Sequence, residues 1–505
     1  MNMTSKQREK LTLTGILLTV GFIHMGSLDN GLVADDWVFV YPHTLGESLG
    51  YFFRSIIPPE WESLWLRPIP MLFFWVGNIL WPGTTWGPHL VNVLFHVANT
   101  YLIWKMIRLS QSGAAENGQG LPSILPSLTA SLIYGLHPLT VGSVGWVSAR
   151  FDVMSITFGL AGLYLWMCND SGRPGKRAFT GAAAMFMLSL LSKEQGVVFL
   201  GAGMLAMVVR LLSRSEDRRK SAKELIILGA LFGCYLIYRL IIFGGMGGYL
   251  TAQHGLNPLL PLYYLAAVLL PFPNVISGWS VSWTLVLSII TFGAVIAIQW
   301  NLQYSKMKTD NRIITLIASL LFLIGLITTA PHAGLLLDQV MGHSEARFAL
   351  IPVTGFALLV GIYIRVIVTS TFMHRTVLIL ALCVGSLYLW RSDVQIQSWK
   401  QSGIKAESIL DQTLELVPDP PINSTIIYID IPRNNAQYAY IFGIGLKEAV
   451  RYRYGCREDI NVIRYAKRRD MQTADPDRDS VLQYHKDTGV LEKLRAVRQK
   501  RTNNQ

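Results

Sequence analysis

Apolar stretches long enough to cross a membrane recur along the chain from residue 11 to residue 390. An α-helix needs roughly 20 mostly apolar residues to span the hydrocarbon core of a bilayer. Only 15% of the side chains are charged, whereas a soluble domain usually carries about a quarter. The pattern therefore predicts a protein that crosses the membrane many times, and it excludes a soluble globular protein.

The hydrophobic pattern predicts about eleven membrane-spanning helices, of which the third and fifth are short. They cover residues 11–28, 89–107, 128–139, 144–166, 178–191, 197–212, 225–243, 282–299, 313–330, 348–368 and 377–390. The stretch 259–272 is also apolar, but Pro261 and Pro271 interrupt it. We expect an interfacial or re-entrant helix there, because such a backbone can be satisfied by surrounding protein.

The distribution of charge predicts how the chain is oriented. Short basic loops alternate with loops that hold the acidic residues, and the basic set is Lys105, Arg108, Arg173, Lys176, Arg177, Arg214, Arg218, Arg219, Lys220, Lys223, Lys306, Lys308, Arg312 and Arg375. Because short basic loops stay in the cytoplasm, the N-terminus is expected inside and the acidic loops outside. Basic cytoplasmic loops therefore account for the net charge of +12 without nucleic-acid binding. We do not expect nucleic acid as a partner.

The spans end well before the C-terminus and define three segments. Residues 1–391 are predicted to form an all-α transmembrane domain with a long first external loop at 29–88. Residues 392–470 are predicted to form a small extracytoplasmic α/β domain, because soluble composition returns there. Residues 471–505 form a polar, basic tail whose composition is typical of disorder.

The α/β prediction for the second segment rests on local patterns. A helical pattern covers 404–416, a β-branched run covers 425–431, a second helix-like stretch covers 438–454 and a strand candidate covers 461–464. The fold class is thus an all-α polytopic membrane protein with a small C-terminal α/β soluble domain.

The sequence Asp35-Asp36-Trp37 in the first external loop is the most informative local feature. Adjacent carboxylates near a membrane repel each other, so they usually have a function or a cationic partner. One interpretation is a general base, because an acceptor hydroxyl must lose its proton when it attacks a sugar carbon. The alternative is two solvated acids in a loop, and sequence does not decide which acid of the pair would be the base.

Cations and polar residues on the same predicted side could bind an anionic substrate. The candidates are Arg67, His137, Arg150, Asp152, Lys193, Glu194, Arg239 and Arg347. Arginine suits a phosphate because it is planar, permanently charged and a multiple donor. Each could instead reach the lipid headgroups or pair with a neighbouring charge, as Arg150 with Asp152 or Lys193 with Glu194.

Metal and cysteine chemistry are not predicted. The four cysteines have no spacing typical of metal ligation or of a disulfide framework. No metal-binding motif is recognised either, so we expect a metal-independent reaction without a cofactor.

Several motifs in this order resemble the GT-C superfamily of polytopic glycosyltransferases, and most closely the transmembrane TPR-containing O-mannosyltransferases and their bacterial relatives. The motifs are Asp35-Asp36-Trp37, Leu66-Arg67-Pro68, residues 89–96, Leu136-His137-Pro138, Arg150 with Asp152, residues 192–196, and Arg347-Phe348 with Pro352 and residues 355–356. The chain departs from this family at residues 137–142, which lack a second His and a Glu, and it has no TPR array.

The resemblance implies a GT-C fold in which Asp35 activates the acceptor and Asp36 supports it. It also implies that Arg67, Arg150, Lys193 and Arg347 are candidates for the donor phosphate, with His137 and Glu194 shaping the site. The implied enzyme is an inverting, hexosyl- or mannosyltransferase-like glycosyltransferase. Its donor would be a dolichyl- or undecaprenyl-phosphate sugar, and its acceptor a hydroxyl of a protein or a cell-envelope glycan.

Other functions remain open at this point. The same fold would suit an enzyme that modifies lipid A or a polysaccharide. A flippase or transporter of lipid-linked sugars would also need cations, but transporters place them near the midplane in repeated halves, and no internal repeat is recognised here. A noncatalytic scaffold is the third alternative. A bacterial inner membrane, with the active side in the periplasm, is the expected location.

Overall fold

The computed structural model describes residues 3–56, 64–111, 121–170, 175–212, 218–245, 259–269, 309–330, 345–367, 371–436, 439–465 and 478–494, together with residues 247, 257, 293 and 475. The predicted span 282–299 lies outside this part of the chain except for residue 293. Residues 171–174, 213–217 and 301–308, which contain several of the cations used to predict the topology, also lie outside it.

The described elements are mostly helices, with one small sheet near the C-terminus. The helices are α1 (Ser5–Met25), α2 (Asp36–Val40), α3 (Leu45–Gly50), α4 (Pro68–Leu80), α5 (Trp86–Gln111), α6 (Leu121–Leu136), α7 (Pro138–Gly145), α8 (Arg150–Asp170), α9 (Gly175–Ser192), α10 (Gly196–Leu212), α11 (Arg218–Phe243), α12 (Leu260–Leu269), α13 (Thr309–Ile327), α14 (Leu350–Ile367), α15 (Thr371–Leu416) and α16 (Leu446–Arg453). The strands are β1 (Thr425–Ile429), β2 (Asn461–Tyr465), β3 (Ser480–His485) and β4 (Val490–Leu494). Short 3-10 turns, among them Val147–Ala149 and Glu345–Ala349, lead into α8 and α14.

The described part of the chain contains six helical segments long and apolar enough to cross a membrane. They are Ser5–Asp29, Trp86–Gln111, Val147–Cys168, Arg218–Phe243, Glu345–Arg365 and Phe372–Leu416, and a seventh arises if Ile124–Leu136 and Pro138–Gly145 form one span bent by 54°. Predicted spans 178–191, 197–212 and 313–330 correspond to shorter apolar helices. The polytopic architecture is therefore confirmed, but the count of eleven spans is not.

The bend between α6 and α7 follows from the sequence His137-Pro138. Proline has no N–H to donate, so it is tolerated at the first position of a helix and breaks a helix that would continue through it. Pro138 is the first residue of α7, and His137 caps that helix by accepting the N–H of Leu139. The predicted span 128–139 thus ends at this break.

Small residues allow the membrane helices to pack closely. A Cβ added to Gly159 of α8 would lie 2.3 Å from the Phe199 ring of α10, and one added to Gly162 would lie 2.8 Å from the Phe186 ring of α9. Lipid tails are as apolar as the side chains, so helix association in a bilayer depends on such close packing. These glycines hold α8 against α9 and α10, which carry the turn at residues 193–195.

A small sheet is present near the C-terminus, where the sequence predicted an α/β domain. Its strand order is β2-β1-β3-β4; β1 is parallel to β2 and β3, and β4 is antiparallel to β3. Residues 480–494, assigned from composition to a polar tail, form the β3–β4 hairpin of this sheet. The predicted helix 404–416 is the end of α15, which continues without a break past the predicted boundary at residue 391.

The C-terminal domain shares a hydrophobic core with the first external loop. Buried Val33 and Trp37 of the loop belong to the same cluster as Ile409 of α15, Ile441 and Leu446. This packing brings the C-terminal domain directly against the Asp35-Asp36 pair.

Candidate functional site

The backbone before the acidic pair adopts an unusual conformation. Ala34 has a φ of +46°, in the left-handed region that non-glycine residues rarely enter. Its N–H donates a 2.8 Å hydrogen bond to the carbonyl of Ile441 in the C-terminal domain. Such a conformation costs about 1–3 kcal/mol and persists only where the surroundings enforce it. The hydrogen bond to Ile441 is one of the contacts that hold this conformation.

Asp36 is fully buried and accepts three hydrogen bonds. Its carboxylate accepts the Ser148 N–H at 2.7 Å, the Ser148 hydroxyl at 2.6 Å and the Val33 N–H at 3.1 Å. Burial raises the pKa of Asp36 to about 7, although these hydrogen bonds lower it. Asp36 therefore fastens the first external loop to the 3-10 turn before α8, and its lone pairs are already engaged.

Asp35 is partly exposed, unlike its neighbour. Burial raises the pKa of Asp35, and the guanidinium of Arg347 is the strongest influence in the opposite direction. Glu345 and Arg67 also act on this carboxylate electrostatically. The structure thus distinguishes a buried, hydrogen-bonded acid, Asp36, from a partly exposed acid, Asp35, that interacts electrostatically with two arginines.

Arg347 lies in the 3-10 turn that leads into α14. Its guanidinium carbon is 4.5 Å from the ring centroid of Trp146 and 4.9 Å from that of Phe348. One of its nitrogens is 3.9 Å from the carboxylate of Glu345, too far for a good hydrogen bond. The other oxygen of Glu345 accepts a hydrogen bond from the hydroxyl of Tyr440 in the C-terminal domain.

Arg67 and Glu194 form an ion pair that joins the start of α4 to the turn between α9 and α10. The guanidinium of Arg67 donates to Glu194 over 2.9 Å and lies 4.3 Å from the ring centroid of Trp65. Burial raises the pKa of Glu194, but the guanidiniums of Arg67 and Arg239 outweigh it and leave the pKa below its usual value. Glu194 therefore favours its ionised form, in which it pairs with Arg67 and interacts electrostatically with Arg239.

Lys193 and Asp152 form a buried ion pair beside this one, with side chains 1% and 4% exposed. The Lys193 ammonium also lies 5.4 Å from the ring centroid of Phe348, next to Arg347. Burial lowers the pKa of Lys193 to about 8; Asp152 opposes this shift, while Arg67 and Arg347 add to it. The charges of Lys193, Arg67 and Arg347 therefore act on one another, which indicates that the three cations are close together, each with a carboxylate nearby.

Arg239 and Arg150 take different positions around this cluster. Arg239 of α11 donates to the hydroxyl of Tyr235 at 2.9 Å and acts on Glu194. Arg150 is buried and donates to Asn92 at 3.2 Å and to the Pro88 carbonyl at 2.8 Å. Its charge interacts with that of Asp36. This placement favours a supporting role for Arg150 over the implied contact with a donor phosphate.

His137 lies at the α6–α7 break. Its Nδ1 accepts the Leu139 N–H, so its Nε2 carries the proton that is donated to the Val268 carbonyl at 3.0 Å. Its ring also meets the Tyr388 ring edge-on at 4.9 Å. These contacts join α7 to α12 and α15, in keeping with the architectural role that the resemblance implies.

Three site residues are absent from the prediction: Glu345, Tyr440 and Ser148. Glu345 precedes Arg347 by two residues, and this acid–base spacing at a span boundary was the one available signal. Ser148 and Tyr440 lie 112 and 95 residues along the chain from Asp36 and Glu345, so no local pattern connects them.

Metal binding is not indicated by the described residues. Within that part of the chain, no group of three or more His, Cys, Asp and Glu side chains could hold a metal ion. Metal independence stays a prediction.

The described residues form a polytopic helical fold with a cluster of charged side chains between the first external loop, the membrane helices and the C-terminal domain. The fold matches the crystal structure of ArnT from Cupriavidus metallidurans in the apo state, with a TM-score of 0.52, 11% identity, and coverage of 96% of this chain and 94% of that chain. No family model matches the chain.

Two of the proteins with similar sequences are from the fruit fly. The protein O-mannosyl-transferase Tmtc2 of Drosophila melanogaster is 30% identical over 186 residues, which cover 35% of this chain and 19% of the relative. Tmtc3 of the same organism is 28% identical over 222 residues, which cover 39% and 24%. The chain thus matches about a fifth to a quarter of the length of these relatives. Together, the likenesses confirm the predicted resemblance to polytopic GT-C glycosyltransferases.

Proposed function

We propose that this protein is an inverting glycosyltransferase that moves a sugar from a polyprenyl-phosphate donor to an acceptor hydroxyl. The observation that carries the proposal is Asp35, a partly exposed residue whose carboxylate interacts electrostatically with Arg347 and Arg67. A base and an anion site are the two groups that this reaction needs from a protein. The named relatives and the shared fold support the same class of reaction.

The chemistry assigns a role to each side of the site. Asp35 takes the proton of the acceptor hydroxyl while the acceptor oxygen attacks the anomeric carbon from the side opposite the phosphate. The bond from that carbon to the phosphate oxygen breaks, and polyprenyl phosphate leaves. One displacement inverts the anomeric configuration.

The cations stabilise the leaving group in this scheme. The donor phosphodiester carries one negative charge, and the departing phosphate gains a second. Arg347 and Arg67 would interact more strongly with the more negative group, so they would stabilise the transition state more than the bound donor. Lys193 is the third cation near this position, and its charge is balanced by Asp152.

The position of the three cations next to membrane helices favours a donor that reaches the site from the bilayer. Arg347, Lys193 and Arg67 lie in turns or at helix starts next to apolar helices, α14, the α9–α10 pair and α4. A phosphate at this position would keep its polyprenyl chain in the bilayer. We further propose that this side is extracytoplasmic, in a bacterial inner membrane, and that the acceptor is a protein or a cell-envelope glycan.

The test uses the full chain in nanodiscs with radiolabelled undecaprenyl- and dolichyl-phosphate hexoses. The expected result is sugar bonded covalently to a hydroxyl acceptor, with an anomeric configuration opposite to that of the donor. The same chain in proteoliposomes distinguishes a flippase, which would move the intact donor across the bilayer without consuming it. Movement without transfer would overturn the proposal.

A further inference from the structure

One short segment of the C-terminal domain, residues 439–445, contacts both halves of the candidate site. The Ile441 carbonyl accepts the N–H of Ala34, next to Asp35. The Tyr440 hydroxyl donates to Glu345, next to Arg347. We refer to residues 439–445 as the site-facing segment.

The site-facing segment is itself held firmly. The N–H of Ala439 donates to the Asn435 side chain at 3.0 Å, and its carbonyl accepts the Ser402 hydroxyl of α15 at 3.3 Å. The Tyr440 ring meets the Trp146 ring edge-on at 5.0 Å. The hydroxyl of Tyr440 is therefore presented to Glu345 from a fixed position.

The Glu345 carboxylate lies between Tyr440 and Arg347. Its Oε1 accepts the Tyr440 hydroxyl, and its Oε2 is 3.9 Å from the Arg347 guanidinium. The Glu345 carbonyl is held by the hydroxyl of Tyr264 at 3.0 Å, so the backbone is fixed while the carboxylate is directed by Tyr440. A close two-oxygen pair with Arg347 would occupy the donor geometry that a phosphate requires.

We propose that Tyr440 is a positioning residue that holds Glu345 back from Arg347, so that the donor phosphate can compete for the guanidinium. This inference rests on the proposed function, because it assumes a phosphate at Arg347. The C-terminal domain then does more than cover the membrane helices: it sets the affinity of the site for its anionic substrate.

The protonation of Tyr440 suits this role. Burial and the nearby carboxylate of Glu345 raise the pKa of Tyr440 well above its usual value. The hydroxyl therefore keeps its proton and donates a hydrogen bond to the carboxylate. Phenylalanine at this position would keep the ring contact with Trp146 and remove only the donor.

The experiment measures binding of undecaprenyl phosphate to the full chain in nanodiscs. Tyr440→Phe is expected to weaken binding roughly tenfold, because Glu345 then closes on Arg347 and must be displaced. Adding Glu345→Gln to Tyr440→Phe is expected to restore binding to within about threefold, because the amide carries no charge to neutralise Arg347. In transfer assays, Tyr440→Phe should raise the donor KM and leave kcat nearly unchanged.

Tyr428→Phe is the matched control. The Tyr428 hydroxyl is buried in the same domain and bonds to Thr413 at 2.9 Å, away from the site. Its removal should leave binding unchanged, and melting temperatures of all variants report folding.

Each contrary outcome has a distinct meaning. Wild-type protein that neither binds undecaprenyl phosphate nor transfers sugar would overturn the proposed function, and this inference with it. A binding wild type with an unchanged Tyr440→Phe variant would overturn the inference alone. Failure of Glu345→Gln to rescue, or equal weakening by Tyr428→Phe, would show that Tyr440 acts only through folding and would likewise overturn it.

Discussion

Ser148 holds the carboxylate of Asp36 with two hydrogen bonds, 2.7 Å from its backbone N–H and 2.6 Å from its hydroxyl. The contact fixes the first external loop to the start of α8 and leaves Asp35 as the accessible acid of the pair. Asp36 thus anchors the loop, and Asp35 is the residue that we propose as the base.

Asp36→Asn is expected to destabilise the protein. The amide group would point N–H donors at Ser148 or Val33, and a buried mismatch of this kind costs about 1–3 kcal/mol. The melting temperature in detergent should fall by several degrees for Asp36→Asn and change little for Asp35→Asn. Equal melting temperatures for the two variants would contradict the anchoring role.

Protonation of Asp35 should lower kcat/KM at low pH and so define the acidic limb of the pH profile. A general base works in its ionised form, and burial raises the pKa of Asp35, so the proton is retained to higher pH than in an ordinary aspartate. The midpoint of kcat/KM on the acidic side should therefore lie above the usual aspartate value of 3.8.

Arg347→Gln should move this acidic limb to still higher pH, because it removes the charge that most favours the ionised carboxylate. The profile is measured as kcat/KM against pH at low donor concentration. A limb that stays in place, or moves to lower pH, would show that Arg347 does not act on the base.

Arg67→Gln is expected to raise the donor KM at least about tenfold, since a charge-assisted hydrogen bond is worth about 1.5–3 kcal/mol. Arg108→Gln is the control, because Arg108 also pairs with a carboxylate, Glu9 at 2.8 Å, but at the opposite end of α5 from the site. Donor titrations of both variants make the comparison. A similar KM for the two would remove Arg67 from the phosphate site.

Lys193→Met is expected to destabilise the folded protein more than most substitutions do. It leaves Asp152 as a buried charge without its ammonium partner, which typically costs about 3–5 kcal/mol. Adding Asp152→Asn should recover much of the lost melting temperature. No recovery in the double variant would indicate that Lys193 stabilises the turn through packing alone.

Gly445→Ala tests whether the C-terminal domain fixes the conformation of the first external loop. Gly445 has a φ of +82°, and a Cβ there would lie 2.1 Å from the Ala34 carbonyl oxygen. Gly455 has a similar φ of +73° with nothing within 4 Å of its Cβ position, so Gly455→Ala adds the same backbone strain without the clash. We expect kcat to fall about tenfold or more for Gly445→Ala only. Equal kcat values would contradict the coupling of Gly445 to Asp35.

The sequence allowed the acidic pair and the cations to be named, because charged residues next to apolar spans stand out at once. It could not distinguish Asp35 from Asp36, since that difference depends on Ser148, which is distant along the chain. The count of eleven spans stays unconfirmed, because several apolar helices of the described part of the chain, such as α10 with 17 residues, are shorter than a usual span.

The β3–β4 hairpin illustrates a different limit. Composition assigned residues 471–505 to a tail, but Val481 and Tyr484 are buried in the sheet and Gly489 makes the turn at a φ of +73°. An alternation of a few residues is a weak signal beside so many charges. Strand β3 forms because it pairs with β1, and the sequence pattern does not show that these two segments meet.

In the proposed reaction, Asp35 deprotonates the acceptor while the cations hold the donor phosphate. The most direct measurement compares Asp35→Asn with Asp29→Asn, a surface acid that pairs with Lys400 at 3.3 Å, for both undecaprenyl-phosphate affinity and sugar transfer. A general-base role for Asp35 predicts that Asp35→Asn binds the lipid within about threefold of wild type but transfers sugar roughly 100-fold more slowly, with Asp29→Asn normal in both. Transfer by Asp35→Asn at the rate of Asp29→Asn would contradict it.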